Sequence, residues 1–215
     1  IVFDVEGVIL PRRRYLLFEA ARKLGPLGFL KILLIGTLYE IGLLPLSSAL
    51  KKIFASLRGF KIDDLFQLYK KVPLMPSVKE VFKKLKEAGH KIALISSGLP
   101  TPFVEDLATT LKADYAFGLE WGTVNGCLTG EIGGDVIKPD GKALVLKKIL
   151  QDTNLSPEDC VLIVDDRNNL PMFPLSAIKV GYNPDFLVNI KSDFVVKGDL
   201  REMLPILTEG KPKKP

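Results

Sequence analysis

The residues that bear on chemistry begin at position 4. In the opening stretch IVFDVEGVIL, three apolar residues run into Asp4, and Glu6 follows with one residue between them. Alternate residues of a strand project to the same face, and two carboxylates crowded at a strand end repel each other unless a cation lies between them. Two more apolar runs close on polar groups further along, and a stretch between them supplies lysines. KIALIS (91–96) ends on Ser96 and is followed by Ser97 and Gly98; CVLIVD (160–165) ends on Asp165, followed by Asp166, Arg167, Asn168 and Asn169; and VIKPDGKALVLKKIL between them offers Lys138 and Lys142. Carboxylates, a hydroxyl, backbone N–H groups and a lysine on one rim suit a hard divalent cation together with a phosphate. Asp4 has the chemistry of a nucleophile that forms an acyl-phosphate. Mg²⁺ between Asp4, Asp166 and a backbone carbonyl, with Glu6 beside them, would shield the anionic substrate. Ser96 and the N–H groups of Ser97 and Gly98 would hold phosphoryl oxygens, and either lysine would offset transition-state charge. Glu6 can protonate the leaving oxygen and then deprotonate water.

These groups need elements to hold them. The continuous apolar runs at 1–3, 91–96 and 160–165, with weaker ones at 177–182 and 193–196, read as strands buried on both faces and separated by helical patterns. That pattern predicts an α/β fold: a three-layer, doubly wound, Rossmann-like parallel sheet whose ligands sit at the carboxyl ends of its strands. Ser77 with Glu80 predicts a capping box for a helix ending at Gly89, Thr101-Pro102 opens the next helix, and Asp199 with Glu202 repeats the capping pattern. Asn125-Gly126 between β-prone runs predicts a small edge hairpin within 116–132. Residues 11–75 hold helical patterns only, so the core is expected to comprise 1–10 and 76–215, with 11–75 inserted as a helical cap.

The motifs FDVEGVI, ALISSG, KPDGKALVLKKI and LIVDDRNNLPMF resemble motifs one to four of the haloacid dehalogenase-like hydrolases, in their phosphoserine-phosphatase-like branch. DYAF, LTGEI and the closing DLREML extend the likeness over most of the chain outside the insert. The resemblance implies Asp4 as nucleophile, Ser96 as the motif-two hydroxyl, Lys142 as the motif-three lysine with Lys138 in reserve, Asp166 as the metal-binding Asp and Asn169 near the phosphate. Three departures accompany it. Glu6 stands where the family has Asp, adding a methylene and a rotatable bond. Asp165 replaces a Gly and Leu170 an acidic residue, so Asp165 is expected to serve as a second metal carboxylate. In the insert, Arg13 and Ile53 fall where phosphoserine phosphatases contact the amino and carboxylate groups of their substrate, which argues against phosphoserine.

The expected function is therefore a Mg²⁺-dependent phosphatase that hydrolyses a small phosphorylated substrate through phospho-Asp4. A protein that binds a phosphorylated ligand with little or no turnover is the alternative raised by Glu6 and Leu170. Composition narrows the partners. The net charge of +5 over 215 residues is spread over helical faces apart from Arg12–Arg14 and a KPKK tail, so no nucleic acid is expected. Two cysteines, Cys127 and Cys160, lack metal-ligand spacing and fit a reducing, cytoplasmic setting. Ile1 already falls in a strand, and the natural start is expected upstream. The run 26–46 is nearly charge-free and flanked by arginines; it reads as helix packed in a small bundle, with peripheral membrane contact or pairing with a second copy as other uses.

Overall fold

A computed structural model describes residues 1–12 and 16–209. Its centre is a seven-stranded sheet in the order β4-β3-β2-β1-β5-β6-β7. These are β1 (Val2–Asp4), β2 (Ala93–Pro100), β3 (Tyr115–Val124), β4 (Cys127–Gly133), β5 (Val161–Val164), β6 (Ile178–Tyr182) and β7 (Phe194–Val196). All pairings are parallel except β3 with β4, which meet through Asn125 and Gly126, both at positive φ, as a type I′ turn requires. The chain starts in the middle, winds out through β2 and β3, then returns to build β5 to β7 on the other side. This reversal places the switch point at β1, where a doubly wound sheet opens a crevice for ligands.

The central strands are apolar up to the polar residues toward their carboxyl ends because helices cover both faces. Helices α5 (Val78–Glu87), α6 (Thr101–Leu111) and α7 (Gly141–Asp152), with the short α8 (Phe186–Lys191) and α9 (Leu204–Glu209), supply that cover. Phe3 of β1 meets Phe82 of α5 with ring centroids 4.6 Å apart. The capping box expected at Ser77 does not form. Ser77 lies at φ 65° without a cap hydrogen bond, and its hydroxyl donates to Asp199 instead. Asp199 does cap the turn that follows it, accepting from the Arg201 N–H.

Between β1 and α5 the chain forms α1 (Leu16–Lys23), α2 (Gly25–Glu40), α3 (Leu46–Ser56) and α4 (Ile62–Tyr69). Backbone hydrogen bonds from Gly59, Ile62 and Leu128 join this group to the β3–β4 hairpin. Tyr69 stacks on Phe103 of α6 at 4.8 Å and 7°, and its hydroxyl donates to Asp106. The segment read from sequence as a helix packed in a bundle is α2, and it is packed on one side only. Ile32 and Ile35 are its buried residues, whereas Leu27, Leu30 and Leu34 are exposed, since its inner side faces α1, α3 and the cavity described below. No helix among the described residues is long and apolar enough to cross a membrane.

Candidate active site

Strand register gathers the polar groups. Asp4 pairs with Ile95 across β1–β2, so Ser96 is one residue beyond, and Phe3 pairs with Ile163 across β1–β5, two residues before Asp165. Asp4 is buried, and its Oδ1 accepts from Lys142 Nζ at 2.8 Å and from the Val5 N–H at 2.7 Å. Its Oδ2 accepts from Asn169 Nδ2, and Asn169 Oδ1 in turn accepts from Lys142 at 2.9 Å. Lys142 enters from the first turn of α7 and is itself buried. Burial works against its ammonium, but Asp4, Asp166 and Glu6 hold its pKa above the ordinary lysine value. Of the two lysines left open by the sequence, Lys142 is the one against Asp4; Lys138 is exposed and pairs with Asp135 at 2.7 Å.

Asp165 and Asp166 follow β5 directly. Together with Asp4 they offer oxygens that all lie within 4.8 Å of one another. Asp165 is the more enclosed of the two: it is buried, its Oδ1 has no hydrogen-bond partner, and its Oδ2 meets Arg12 at 2.8 Å. The loop after β1 permits this approach because Gly7, at φ 88°, has no Cβ; one built there would lie 1.7 Å from Asp165 Oδ2. Asp166 accepts from the Asn168 N–H and from Asn169 Nδ2, and Arg12 approaches it at 3.8 Å. Burial, and then the charge of Asp4, raise the pKa of both groups, Asp165 the further. A crowded carboxylate set with an unpartnered buried oxygen fits a hard cation bound through oxygen.

Glu6 lies apart from that set. Both of its carboxylate oxygens lie 2.9 Å from the Ser96 hydroxyl, which also accepts from the Leu99 N–H. Sequence spacing places Glu6 beside a cation; the extra methylene instead carries its carboxylate across to β2. Burial and the Asp4 charge push its pKa up to about 7. Ser97 Oγ donates to Val136 O, and Gly98 borders the cavity beside it. Leu170 packs against the core and contributes no polar group. Arg13, set by sequence against the substrate amino group, lies outside the described residues; Ile53 lines the cavity.

That cavity, of about 340 Å³, lies over Asp4, Glu6, Lys142 and Asp166, with α1, α2 and α3 as its roof. Sequence reasoning overlooked two of the groups around it. Arg12 belongs to a basic run that reads as a solvated face, and its partners lie at the other end of the chain. Arg167 donates to the carbonyls of Tyr39 and Glu40 at the end of α2, a contact between residues far apart in the chain that no local pattern signals.

A doubly wound sheet with a carboxylate, a lysine and an acidic pair at its switch point defines a class of hydrolase. Residues 1–174 match the haloacid dehalogenase-like hydrolase family, and the chain belongs to it. Within that family its similarity falls on the phosphoserine phosphatase branch. The phosphoserine phosphatase of Archaeoglobus fulgidus is 31% identical over 169 residues, covering 78% of this chain and 48% of that protein; this chain thus spans about half of that relative's length. The Methanocaldococcus jannaschii phosphoserine phosphatase is 29% identical over 164 residues, covering 76% of this chain and 77% of that one. A solved phosphoserine phosphatase holding a phospho-aspartyl intermediate analogue superposes with a TM-score of 0.85 at 27% identity, covering 94% of this chain and 95% of the other.

Proposed function

We propose that this chain is a Mg²⁺-dependent phosphomonoester phosphatase working through phospho-Asp4, with residues 11–75 as a cap over a core of 1–10 and 76–215. The observation that carries the reading is Asp4 held by Lys142 and Asn169 on the floor of a cavity roofed by α1, α2 and α3. The phosphoserine phosphatase relatives, one solved with a phospho-aspartyl analogue, support it. Asp4, Asp165 and Asp166 would hold the cation, which when bound offsets the charge of the phosphoryl group.

An Asp4 oxygen attacks phosphorus and the ester P–O bond breaks, the departing oxygen taking a proton from the Glu6 carboxylic acid. Glu6, now a carboxylate, removes a proton from water, whose oxygen attacks phosphorus and breaks the bond to Asp4. Inorganic phosphate leaves with Asp4 and the Glu6 proton restored. Lys142 orients Asp4 through their ion pair, and the N–H groups after Ser96 face the phosphoryl oxygens. Phosphate release from p-nitrophenyl phosphate with Mg²⁺ tests the proposal: Asp4→Asn is expected to lose at least about 10³-fold in kcat, and equal rates would overturn it.

One contact favours a second reading, a phosphate-ligand binder with little turnover. Glu6 engages the Ser96 hydroxyl that a phosphoryl oxygen would otherwise take. That reading expects inorganic phosphate to bind with no Asp4-dependent release from any ester.

A further inference from the structure

The floor and the roof of the cavity differ in chemistry. The floor carries Asp4, Glu6, Lys142, Asp166 and Asn168, whereas the roof presents Leu17 of α1, Ile32 and Leu33 of α2, and Leu50 and Ile53 of α3. Among the described residues few polar groups of the cap face inward, and those that do are engaged or peripheral, the Tyr39 side chain lying against the Arg167 guanidinium. Arg12 is spent on Asp165 and Asp166, the Thr37 hydroxyl donates to Leu33 O within its own helix, and Glu40 stands exposed at the end of α2.

A ligand anchored by its phosphoryl group on the floor must lay its ester group against this roof. An amino acid there would bring an ammonium and a carboxylate out of water to face Leu and Ile, and unpaired charges bear a heavy desolvation cost. A hydrocarbon group gains instead from every methylene it removes from water. Ile53 makes the contrast local, since it lines the cavity with an apolar side chain that offers a carboxylate no partner.

We propose that the substrate is a phosphomonoester of an apolar alcohol, its alkyl or aryl group several carbons long and lodged beneath α1, α2 and α3. The proposal rests on the phosphatase reading of Asp4. In the reaction the P–O bond to the alcohol breaks, the alcohol leaves with the Glu6 proton, and water supplies the oxygen that ends on phosphate.

Phosphate release with Mg²⁺ is measured for n-alkyl phosphates from ethyl to octyl, below their micellar concentrations, beside O-phosphoserine. The expected kcat/KM rises by roughly fourfold per methylene over the first several carbons, and octyl phosphate exceeds O-phosphoserine by at least about 100-fold. A flat series, or O-phosphoserine equal to or better than octyl phosphate, overturns the proposal. Leu33 is 41% exposed, so Leu33→Lys adds an ammonium to the roof with little demand on folding; it is expected to flatten the series, and an unchanged slope counts against the assignment. A binding arm separates this proposal from the phosphatase reading. Calorimetry on Asp4→Asn compares n-octylphosphonate with O-phosphoserine. Tighter phosphonate binding without hydrolysis of any ester by the parent chain sinks the phosphatase reading and upholds the apolar site. Efficient hydrolysis led by O-phosphoserine does the reverse, and no binding of either ligand together with no hydrolysis by the parent chain overturns both.

Discussion

Glu6, two residues beyond β1, and Ser96, within β2, share a hydrogen bond in which one hydroxyl lies 2.9 Å from both carboxylate oxygens. The contact exists because Glu is one methylene longer than Asp. It ties the Glu6 carboxylate to β2 and fills the hydroxyl's donor capacity. Shortening the side chain releases both. Glu6→Asp is expected to raise kcat for phosphate release, whereas Glu6→Gln, which keeps the reach but has no transferable proton, should lower it by about 10² or more. Steady-state kinetics decide: a rate loss in Glu6→Asp would mean that the longer arm is required.

Lys142 and Lys138 make opposite predictions although both are lysines in one short stretch. Lys142 is buried between Asp4 and Asn169, so Lys142→Met leaves a buried carboxylate without its counter-charge. Breaking such a pair costs about 3–5 kcal/mol, and turnover should be abolished at the same time. Lys138→Ala only removes an exposed pair with Asp135, and stability and rate should stay at the parent level. Denaturant unfolding together with phosphate release tests both; a large effect at Lys138 would move the motif-three role to it.

Much of this site was legible because it is built from strand ends. Apolar runs bounded by polar residues located β1, β2 and β5, and parallel pairing then required Asp4, Ser96 and Asp165 to meet. What escaped depended on contacts distant in sequence. Strand β2 continues to Pro100, beyond the expected end at Ser96, because it pairs again with Leu119 of β3 after a register shift. Ser77 has the pattern of a cap, but a tertiary contact to Asp199 takes its hydroxyl. Gly7 carries no local mark of its role, since only the fold presses Asp165 against it. The exposed leucines of α2 could not be told from buried ones, since hydrophobic periodicity reports an apolar surface and not what covers it.

The acidic set predicts how pH and metal trade against each other. Asp165 and Asp166 have raised pKa values, about 9 and about 6, because of burial and then Asp4. Folded, each holds its proton more tightly than when unfolded, so the contribution of these two groups to the stability of the metal-free chain is fully present only below the ordinary carboxylate range. That stability is lost as pH climbs through about 6 and on towards 9. Mg²⁺ competes for the same oxygens and should reverse the trend, adding about 2.7 kcal/mol at 100 times its Kd. Thermal melts from pH 5 to 9, with chelator and with Mg²⁺, are expected to diverge as pH rises. Parallel curves would remove the cation from Asp4, Asp165 and Asp166.

Arg167 joins the two halves of the cavity. Its backbone N–H donates to Asp185 at 2.8 Å, which fixes the loop after β5. Its guanidinium reaches the Tyr39 and Glu40 carbonyls at the C-terminal end of α2 and lies 5.4 Å from the Tyr39 ring centroid. A cation at a helix C-terminus satisfies carbonyls that the helix leaves without partners and interacts favourably with its dipole. Arg167 thus ties the roof of the cavity to the loop bearing Asp166 and Asn169. Arg167→Ala should cost the last turn of α2 about 1.4 kcal/mol, so that its amide hydrogens exchange roughly tenfold faster. KM should rise several-fold as the roof loosens, and Arg167→Lys should recover part of the loss. Unchanged exchange in α2 would show that the cap is held by its hairpin and α6 contacts alone.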